Sequence, residues 1–284
     1  DIIPQEQAPR IISFVYAGFS VASVLGTPIG TLLSDAFGIK SAFVAVEAVA
    51  LLVTVLLLIS VPRSGSTDVS SSVREQLVIL KDRRIILVLV MKAFGMAATY
   101  VFYVYVTPIL EDSVGLSVWM VSLVLFFYGG ATIVSNLGSG SLAQRYGLGK
   151  LPLMFALQAV VLALLGISLA SGNTVLCIIN VVLTGVFIYH MNAPLQSYLL
   201  QVSAKDYPRA LTLASAVMPT SSDIGIATGS FMGGVVATNL GFAWSGPVGA
   251  VLAVVSVVAA FMILQPESRM GGSLRSRLRR NRKQ

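Results

Sequence analysis

Long, uninterrupted apolar runs are the feature that most constrains how this chain can fold. Hydrophobic residues make up 56% of its 284 residues and charged residues 11%, and the mean hydropathy is +0.86. An α-helix needs about 20 mostly apolar residues to cross a bilayer. Eight stretches reach that length, at residues 11–33, 42–61, 85–110, 118–137, 151–170, 174–200, 211–240 and 248–264.

These runs are too long and too unbroken for the ten-residue alternating strands of a membrane barrel. A helix satisfies all of its own backbone hydrogen bonds, as hydrocarbon requires. The sequence therefore predicts an all-α integral membrane protein with eight transmembrane helices. Its one cysteine, Cys177, cannot form an intrachain disulfide, and we predict neither a cofactor nor a metal site.

Basic residues alternate between the loops, and this alternation predicts the topology. Seventeen of the 19 Lys and Arg residues fall on one side of the predicted spans, Lys40 falls on the other, and Lys92 lies within a span. By the positive-inside rule, both ends are cytoplasmic. The basic tail has no interleaved aromatic residues, so it predicts contact with anionic lipid rather than nucleic acid. We therefore expect a multi-pass protein of the cell membrane, either the plasma membrane or the bacterial inner membrane.

A repeat with an offset of 199 residues relates the two ends of the chain. In each copy a Pro-Arg pair precedes a helix with two small residues four apart, a spacing that favours close helix packing in lipid. The copies are Pro9, Arg10, Gly26 and Gly30, and Pro208, Arg209, Gly225 and Gly229. Two related halves joined by a basic linker are typical of transporters whose substrate binds between the halves.

The repeat predicts how the chain is organised. Residues 1–62 would hold the last two helices of an N-terminal half, 63–84 a cytoplasmic linker, 85–264 a six-helix C-terminal half, and 265–284 a basic cytoplasmic tail. On this interpretation four helices, about 120 residues, are missing ahead of Asp1.

Three stretches resemble the major facilitator superfamily, in its drug:proton antiporter branch and its arabinose-efflux and sugar-efflux group. They read PQEQAPRIISFVYAGFSVASVLGTPIGTLLSDAFGIKSAF, LFFYGGATIVSNLGSGSLAQRYG and APLQSYLLQVSAKDYPRALTLASAVMPTSSDIGIATGSFMGGVV. The resemblance implies a 6+6 fold of which this chain holds helices five to twelve. It also implies an antiporter motif at Gly26, Pro28 and Gly30, and a cytoplasmic loop motif at Gly140, Arg145 and Gly147 in which Arg145 latches neighbouring helices.

Four ionisable residues lie inside predicted spans, where a charge is costly and usually functional. Glu47 is near the outer end of its span, so we expect it to reach exterior water. Asp223 is 14 residues past Arg209, about 21 Å from that end of its helix. His190 lies at a similar depth, so we expect the two to face each other and couple to proton movement; a structural hydrogen bond is the alternative. Lys92 either lines the cavity or snorkels to the interface.

Neutral polar side chains on three spans predict the substrate pathway. Hydroxyls, amides and aromatic rings suit a sugar, a nucleoside or an amphipathic drug. Pro194 should loosen its helix beside them. The members of this set are Tyr100, Tyr103, Asn136, Tyr189, Asn192 and Gln196.

The leading hypothesis is a monomeric secondary transporter that exports a small molecule in exchange for protons by alternating access. A non-transporting membrane sensor or structural subunit is one alternative. A polytopic lipid-modifying enzyme is the other, but such an enzyme needs paired carboxylates, clustered histidines or an activated nucleophile at one interface. With one histidine in the chain, we expect no enzyme.

Overall fold

The structure is a computed structural model that describes residues 38–60 and 73–281 and a scattering of positions between 14 and 37, with side chains described as far as Gln265. It is all-helical in these residues. The long helices are α1 Ile39–Ser60, α2 Arg83–Tyr103, α3 Val118–Tyr146, α4 Leu151–Ser171, α5 Thr174–Phe187, α6 Asn192–Asp206, α7 Leu211–Asn239 and α8 Ser245–Asn281.

Six helical stretches among the described residues are long and apolar enough to cross a membrane. They are α1, α2, α3, α4, the combined α5 and α6, and a stretch at the start of α8. Helix α7 has 29 residues, but its serines, threonines, glycines and Asp223 make it less apolar. Most of the predicted span at 11–33 lies outside the described residues. The count of eight therefore stays a prediction.

Helices α2 to α8 form one closed bundle. Helix α2 packs against α7 and α8, α8 against α4, α4 against α5, α5 and α6 against α3, and α6 against α7. In the part of the chain that the structure describes, no residue of α1 is buried. The bundle is therefore the unit that holds the candidate site.

Several helix ends differ from the sequence prediction, and each has a local cause. Helix α2 ends at Tyr103 rather than at 110, because Pro108 lacks an N–H and its ring clashes with the carbonyl four residues before it. Helix α3 continues nine residues past 137 and ends before Gly147. Gly147 has φ +54°, a left-handed conformation that glycine adopts without strain.

Helices α2 and α7 approach each other closely, and three glycines of α7 face the backbone of α2. A Cβ added at Gly229 would lie 2.5 Å from the carbonyl oxygen of Ala97, and one at Gly225 would collide with the carbonyl of Ala93. Gly233 meets Val101 in the same way. This is the close approach that the small-residue spacing of Gly225 and Gly229 predicted.

The other motif residues differ in their surroundings. At Gly26 and Gly30 an added Cβ would meet nothing within 4 Å among the described atoms, while Pro28 lies outside the described residues. Gly140 is buried in α3. Arg145 is exposed in the last turn of α3, where the described residues offer it no hydrogen bond or ion pair, so its predicted latch stays a prediction.

A charged network joins the basic end of the bundle, where α2 and α7 begin and α6 ends. Asp82 caps α2 by accepting from the backbone N–H of Arg84 at 2.8 Å. The Arg84 guanidinium reaches Asp82 at 2.6 Å and Asp206 at 2.7 Å, and the Tyr207 hydroxyl donates to Asp82 at 3.1 Å. The hydrogen bond from Arg84 keeps the pKa of Asp82 below its ordinary value.

We expect Gly229→Ala to destabilise the bundle by about 1–3 kcal/mol, because the methyl group would overlap the backbone of α2. Gly130→Ala is the matched control, since its added Cβ meets nothing within 4 Å and alanine favours a helix by up to about 1 kcal/mol. Thermal unfolding in detergent, followed by tryptophan fluorescence, measures both. Equal unfolding temperatures for the two variants would contradict this packing.

Asp82→Asn should lower the free energy of unfolding by about 1 kcal/mol and so lower the thermal midpoint modestly. Asparagine still caps α2 but no longer carries the charge that holds Arg84. The pKa of Asp82 is lowered in the folded chain, so its contribution is complete above the unfolded value of about 3.9 and is lost as pH falls through the folded pKa. The difference in thermal midpoint between wild type and variant should stay constant from about pH 8 to 5 and disappear below about pH 4. Asp112→Asn, at an exposed position, should leave the midpoint unchanged.

Candidate functional site

A break in one membrane span organises the candidate site. Helix α5 ends at Phe187 and α6 begins at Asn192, within one apolar stretch, Thr174–Asp206. Pro194 explains the break, because it has no N–H to donate to the carbonyl of His190 and its ring clashes there. The predicted loosening by Pro194 is confirmed. Irregular backbone at membrane depth is tolerated where protein surrounds it or where it lines a cavity.

A buried lysine is bonded across the bundle to residues next to this break. Lys92 on α2 is 1% exposed, and its ammonium donates to the side-chain oxygen of Asn192 at the start of α6. The amide of Asn192 donates in turn to Oδ1 of Asn136 on α3, at 2.7 Å. One hydrogen-bonded chain therefore links three helices, and the alternative in which Lys92 snorkels to the interface is wrong.

His190 lies within the break and is held from two sides. Its Nδ1 donates to the carbonyl of Phe187, which closes the frayed end of α5, and its ring packs edge-on against Phe155 of α4, with centroids 4.9 Å apart. Its Nε2 is buried without a hydrogen-bond partner among the described residues. Lys92 is within electrostatic range.

Asp223 lies on α7, near the same level as Lys92, but its side chain is exposed. It is within electrostatic range of Lys92 and Tyr100. It makes no hydrogen bond or ion pair with His190, so the predicted facing pair is not formed. The prediction failed because the Pro194 break turns His190 back towards Phe187, so that its Nδ1 donates within its own span rather than towards α7.

Four tyrosines form an aromatic cluster beside the polar chain. Tyr103 stacks on Tyr128 with centroids 4.9 Å apart, and Tyr100 meets Tyr103 edge-on at 5.5 Å. The Tyr189 hydroxyl lies close to that of Tyr100. Tyr100 and Tyr103 are only half-buried, whereas Tyr128 is buried. The cluster therefore presents ring faces and hydroxyls at the edge of the site, while its base is anchored in the bundle.

Sequence reasoning missed Tyr128, although a signal for it was present. Helix α3 carries a stripe of buried polar residues at helical spacing, and a stripe of this kind in an apolar span points towards other helices. Ser135, in this stripe, accepts a hydrogen bond from the backbone N–H of Tyr189 at 3.0 Å, which fixes the broken span. The stripe consists of Tyr128, Thr132, Ser135, Asn136 and Ser139.

Two glutamines occupy different parts of this region. Gln196, which the sequence predicted, is buried one turn past Asn192 on α6. Gln158 on α4, which it did not, donates to the carbonyl of Gly95 at 2.9 Å and to the hydroxyl of Thr99 at 3.0 Å. Gln158 therefore bonds α4 to α2 within two turns of Lys92 and helps to hold α2 in place beside the site.

This arrangement can hold a positive charge at membrane depth and present hydrogen-bonding and aromatic groups beside it. Eight of the nine predicted pathway residues are buried or half-buried around the break, and the ninth, Asp223, is exposed at its edge. Those eight are Lys92, Tyr100, Tyr103, Asn136, Tyr189, His190, Asn192 and Gln196.

Comparison with known proteins finds relatives whose names describe membrane transporters. The chain is 30% identical over 259 residues to the uncharacterized MFS-type transporter YtbD of Bacillus subtilis (strain 168), covering 91% of this chain and 65% of that protein. It is 25% identical over 270 residues to the inner membrane transport protein YdhP of Escherichia coli (strain K12), covering 94% of this chain and 68% of that protein. The chain thus spans about two thirds of the length of these relatives.

The family profile of the Major Facilitator Superfamily matches residues 1–217, which include the break, Lys92 and the tyrosine cluster. With this match and the relatives above, the chain belongs to the Major Facilitator Superfamily.

Proposed function

We propose that this chain belongs to a secondary transporter that exports a small molecule in exchange for protons. The observation that carries the proposal is the buried chain Lys92, Asn192 and Asn136 at the break between α5 and α6. A charge at membrane depth is costly and by default marks a pathway. Discontinuous helices near the bilayer centre are where secondary transporters place substrate and coupling ions.

The direction and the coupling ion follow from separate arguments. Efflux is supported by the resemblance of the segment around Gly26 and Gly30 to the antiporter branch. Proton coupling is supported by ionisable groups that lie near one another at the same depth, namely Lys92, His190 and Asp223. We propose further that the transporter works as a monomer in the cell membrane with both ends cytoplasmic, as the loop charges predict.

The proposed substrate is a sugar, a nucleoside or an amphipathic drug. Tyr100 and Tyr103 offer half-exposed rings and hydroxyls, and Gln196 adds an amide close to the network. Such groups hydrogen-bond and stack without requiring a fixed charge on the ligand.

The internal repeat supports a further part of the proposal, that four more helices precede Asp1 in the full transporter. The two halves of such a transporter rock about a site between them. Reading the coding sequence upstream of Asp1 tests this directly, since about 120 residues with four apolar spans should be present.

Proton-coupled efflux is tested in everted membrane vesicles from cells that express the full reading frame. An acidified lumen quenches a ΔpH-sensitive dye, and sugars, nucleosides and amphipathic drugs are then added in turn. A true substrate should enter in exchange for lumenal protons and relieve the quench. Vesicles without the protein, and vesicles treated with a protonophore, are the controls. If no compound in the three classes relieves the quench or accumulates, the proposal fails.

Asn192→Leu should reduce transport at least about tenfold, a loss of about 1.4 kcal/mol, because Lys92 loses its acceptor and Asn136 its donor. Asn180→Leu is the matched control, since Asn180 lies on the same span and donates only towards α4, to Ser168 at 2.6 Å and the carbonyl of Leu164 at 3.5 Å. Asn192→Leu loses one hydrogen bond from a charged donor, about 1.5–3 kcal/mol, and one neutral bond, whereas Asn180→Leu loses two neutral bonds of about 1 kcal/mol each. Both unfolding temperatures should therefore fall, but only Asn192→Leu should lose transport. Equal transport by the two variants would show that the polar chain takes no part in transport.

A further inference from the structure

Two half-exposed tyrosine rings form an aromatic corner at the end of α2. Tyr100 and Tyr103 are one turn apart on that helix, so their side chains leave the same face. Their rings lie at 74° to each other, with centroids 5.5 Å apart, and both are partly exposed. A flat molecule that stacks on one of these rings would therefore also contact the other.

A buried ring holds the corner rigid from behind. Tyr128 of α3 is stacked on Tyr103, with centroids 4.9 Å apart and 20° between the ring planes. Gly185 of α5 packs against Tyr128 in turn, since a Cβ added at Gly185 would lie 3.1 Å from the ring atom Cδ2 of Tyr128 and 2.9 Å from its carbonyl oxygen. Three helices thus fix the stacked pair. A fixed ring binds a ligand at a lower cost in conformational entropy than a ring that must be ordered on binding.

The Tyr128 hydroxyl is buried beside the corner without a hydrogen-bond partner among the described residues. Tyr128 is only 3% exposed, and a buried tyrosine hydroxyl usually has a partner, because leaving it without one is costly. It lies within electrostatic range of the hydroxyls of Tyr100, Tyr103 and Tyr189. The Tyr128 hydroxyl therefore points towards the corner, where an acceptor atom of a bound molecule would satisfy it.

The corner lies at a different level of the bundle from the buried polar chain. Tyr100 is eight residues past Lys92 on α2, and Tyr128 is eight residues before Asn136 on α3. At 1.5 Å per residue, both offsets are about 12 Å along the helix axis. A molecule bound in the corner can therefore be recognised by the tyrosines alone, without a charge that matches Lys92.

The chemistry of the corner favours a flat heteroaromatic ring over a sugar or an amphipathic drug. Such a ring stacks on an aromatic side chain through its face, while its ring nitrogens and carbonyl oxygens accept hydrogen bonds in its own plane. A sugar carries several hydroxyl donors, which need carboxylate or amide acceptors, whereas the four side chains here offer phenol hydroxyls. An amphipathic drug binds mainly through apolar area, and those hydroxyls would lose water without gaining a partner.

We propose that the corner of Tyr100, Tyr103 and Tyr128 binds an uncharged planar heteroaromatic ring, such as a nucleobase or the base of a nucleoside. The ring stacks on the half-exposed tyrosines and accepts a hydrogen bond from the Tyr128 hydroxyl. This inference narrows the substrate class of the proposed function and rests on that function for its role in transport. Binding can be measured without transport, so the two can fail separately.

Isothermal titration calorimetry tests the site, with protein purified in detergent from the full reading frame. Adenine, uracil and adenosine should bind, and ribose, the non-aromatic control, should not. Tyr103→Leu should raise the Kd about tenfold or more, equivalent to about 1.4 kcal/mol, because stacking is lost. Tyr103→Phe, which keeps the ring, should stay within about threefold of the wild type. If none of the three ring compounds binds, or if Tyr103→Leu binds them as tightly as the wild type, the inference is overturned.

Tyr128→Phe separates a binding role of the hydroxyl from a structural one. This variant keeps the stacked ring but removes one hydrogen bond to the ligand, so the Kd for adenosine should rise about two- to tenfold. The unfolding midpoint without ligand should stay the same or rise, because the hydroxyl has no partner to lose. Tyr146→Phe, at an exposed position near the other end of α3, is the matched control and should change neither quantity. A lower midpoint with unchanged binding would overturn the role of the Tyr128 hydroxyl.

Vesicle transport assays then distinguish this inference from the proposed function. If adenosine binds with the expected dependence on Tyr103 but no compound is exported, the proposed function fails and the binding site stands. If a sugar or a drug is exported equally by the wild type and Tyr103→Leu, and no heteroaromatic compound binds, the proposed function stands and the inference is overturned.

Discussion

Hydrocarbon offers no hydrogen bonds, and this constraint governs every part of the bundle. Each backbone N–H and C=O must find a partner within the protein, so the chain forms helices wherever it crosses. The exception, residues 188–191 between α5 and α6, is possible because side chains replace the missing bonds. Ser135 accepts from the N–H of Tyr189, and His190 donates to the carbonyl of Phe187. The break is thus enclosed by protein rather than by lipid.

Close packing supplies what the hydrophobic effect cannot, since lipid tails are as apolar as the side chains that face them. The glycines of α7 let its backbone approach that of α2, and Gln158 bonds α4 to α2 through the carbonyl of Gly95. These contacts fix α2 on both sides. Because Lys92 projects from that same helix, its position relative to Asn192 and Asp223 is set by packing several residues away.

The sequence predicted the features that depend on local chemistry. The lengths of the apolar runs predicted most of the spans, and Pro194 predicted the break. The spacing of Gly225 and Gly229 predicted a close helix contact. The end of α3 was missed because its final turns are rich in small polar residues. Those turns remain helical until Gly147, where the backbone turns left-handed.

Features that depend on distant residues could not be read in the same way. The burial of Lys92 is decided by Asn192, 100 residues further along the chain, and a single lysine near a helix end fits snorkelling equally well. The orientation of His190 depended on how the break was closed, which the position of Pro194 alone does not determine. Tyr128 was predictable in principle, because the polar stripe on α3 repeats at helical spacing.

The acceptor at position 192 is an amide rather than a carboxylate, and this sets how firmly Lys92 is held. A buried ion pair loses about 3–5 kcal/mol when one partner is removed, so a carboxylate there would bind α2 firmly to α6. A hydrogen bond from a charged group to a neutral acceptor contributes about 1.5–3 kcal/mol. Lys92 is therefore held buried across the bundle by a neutral acceptor, more weakly than a carboxylate at position 192 would hold it.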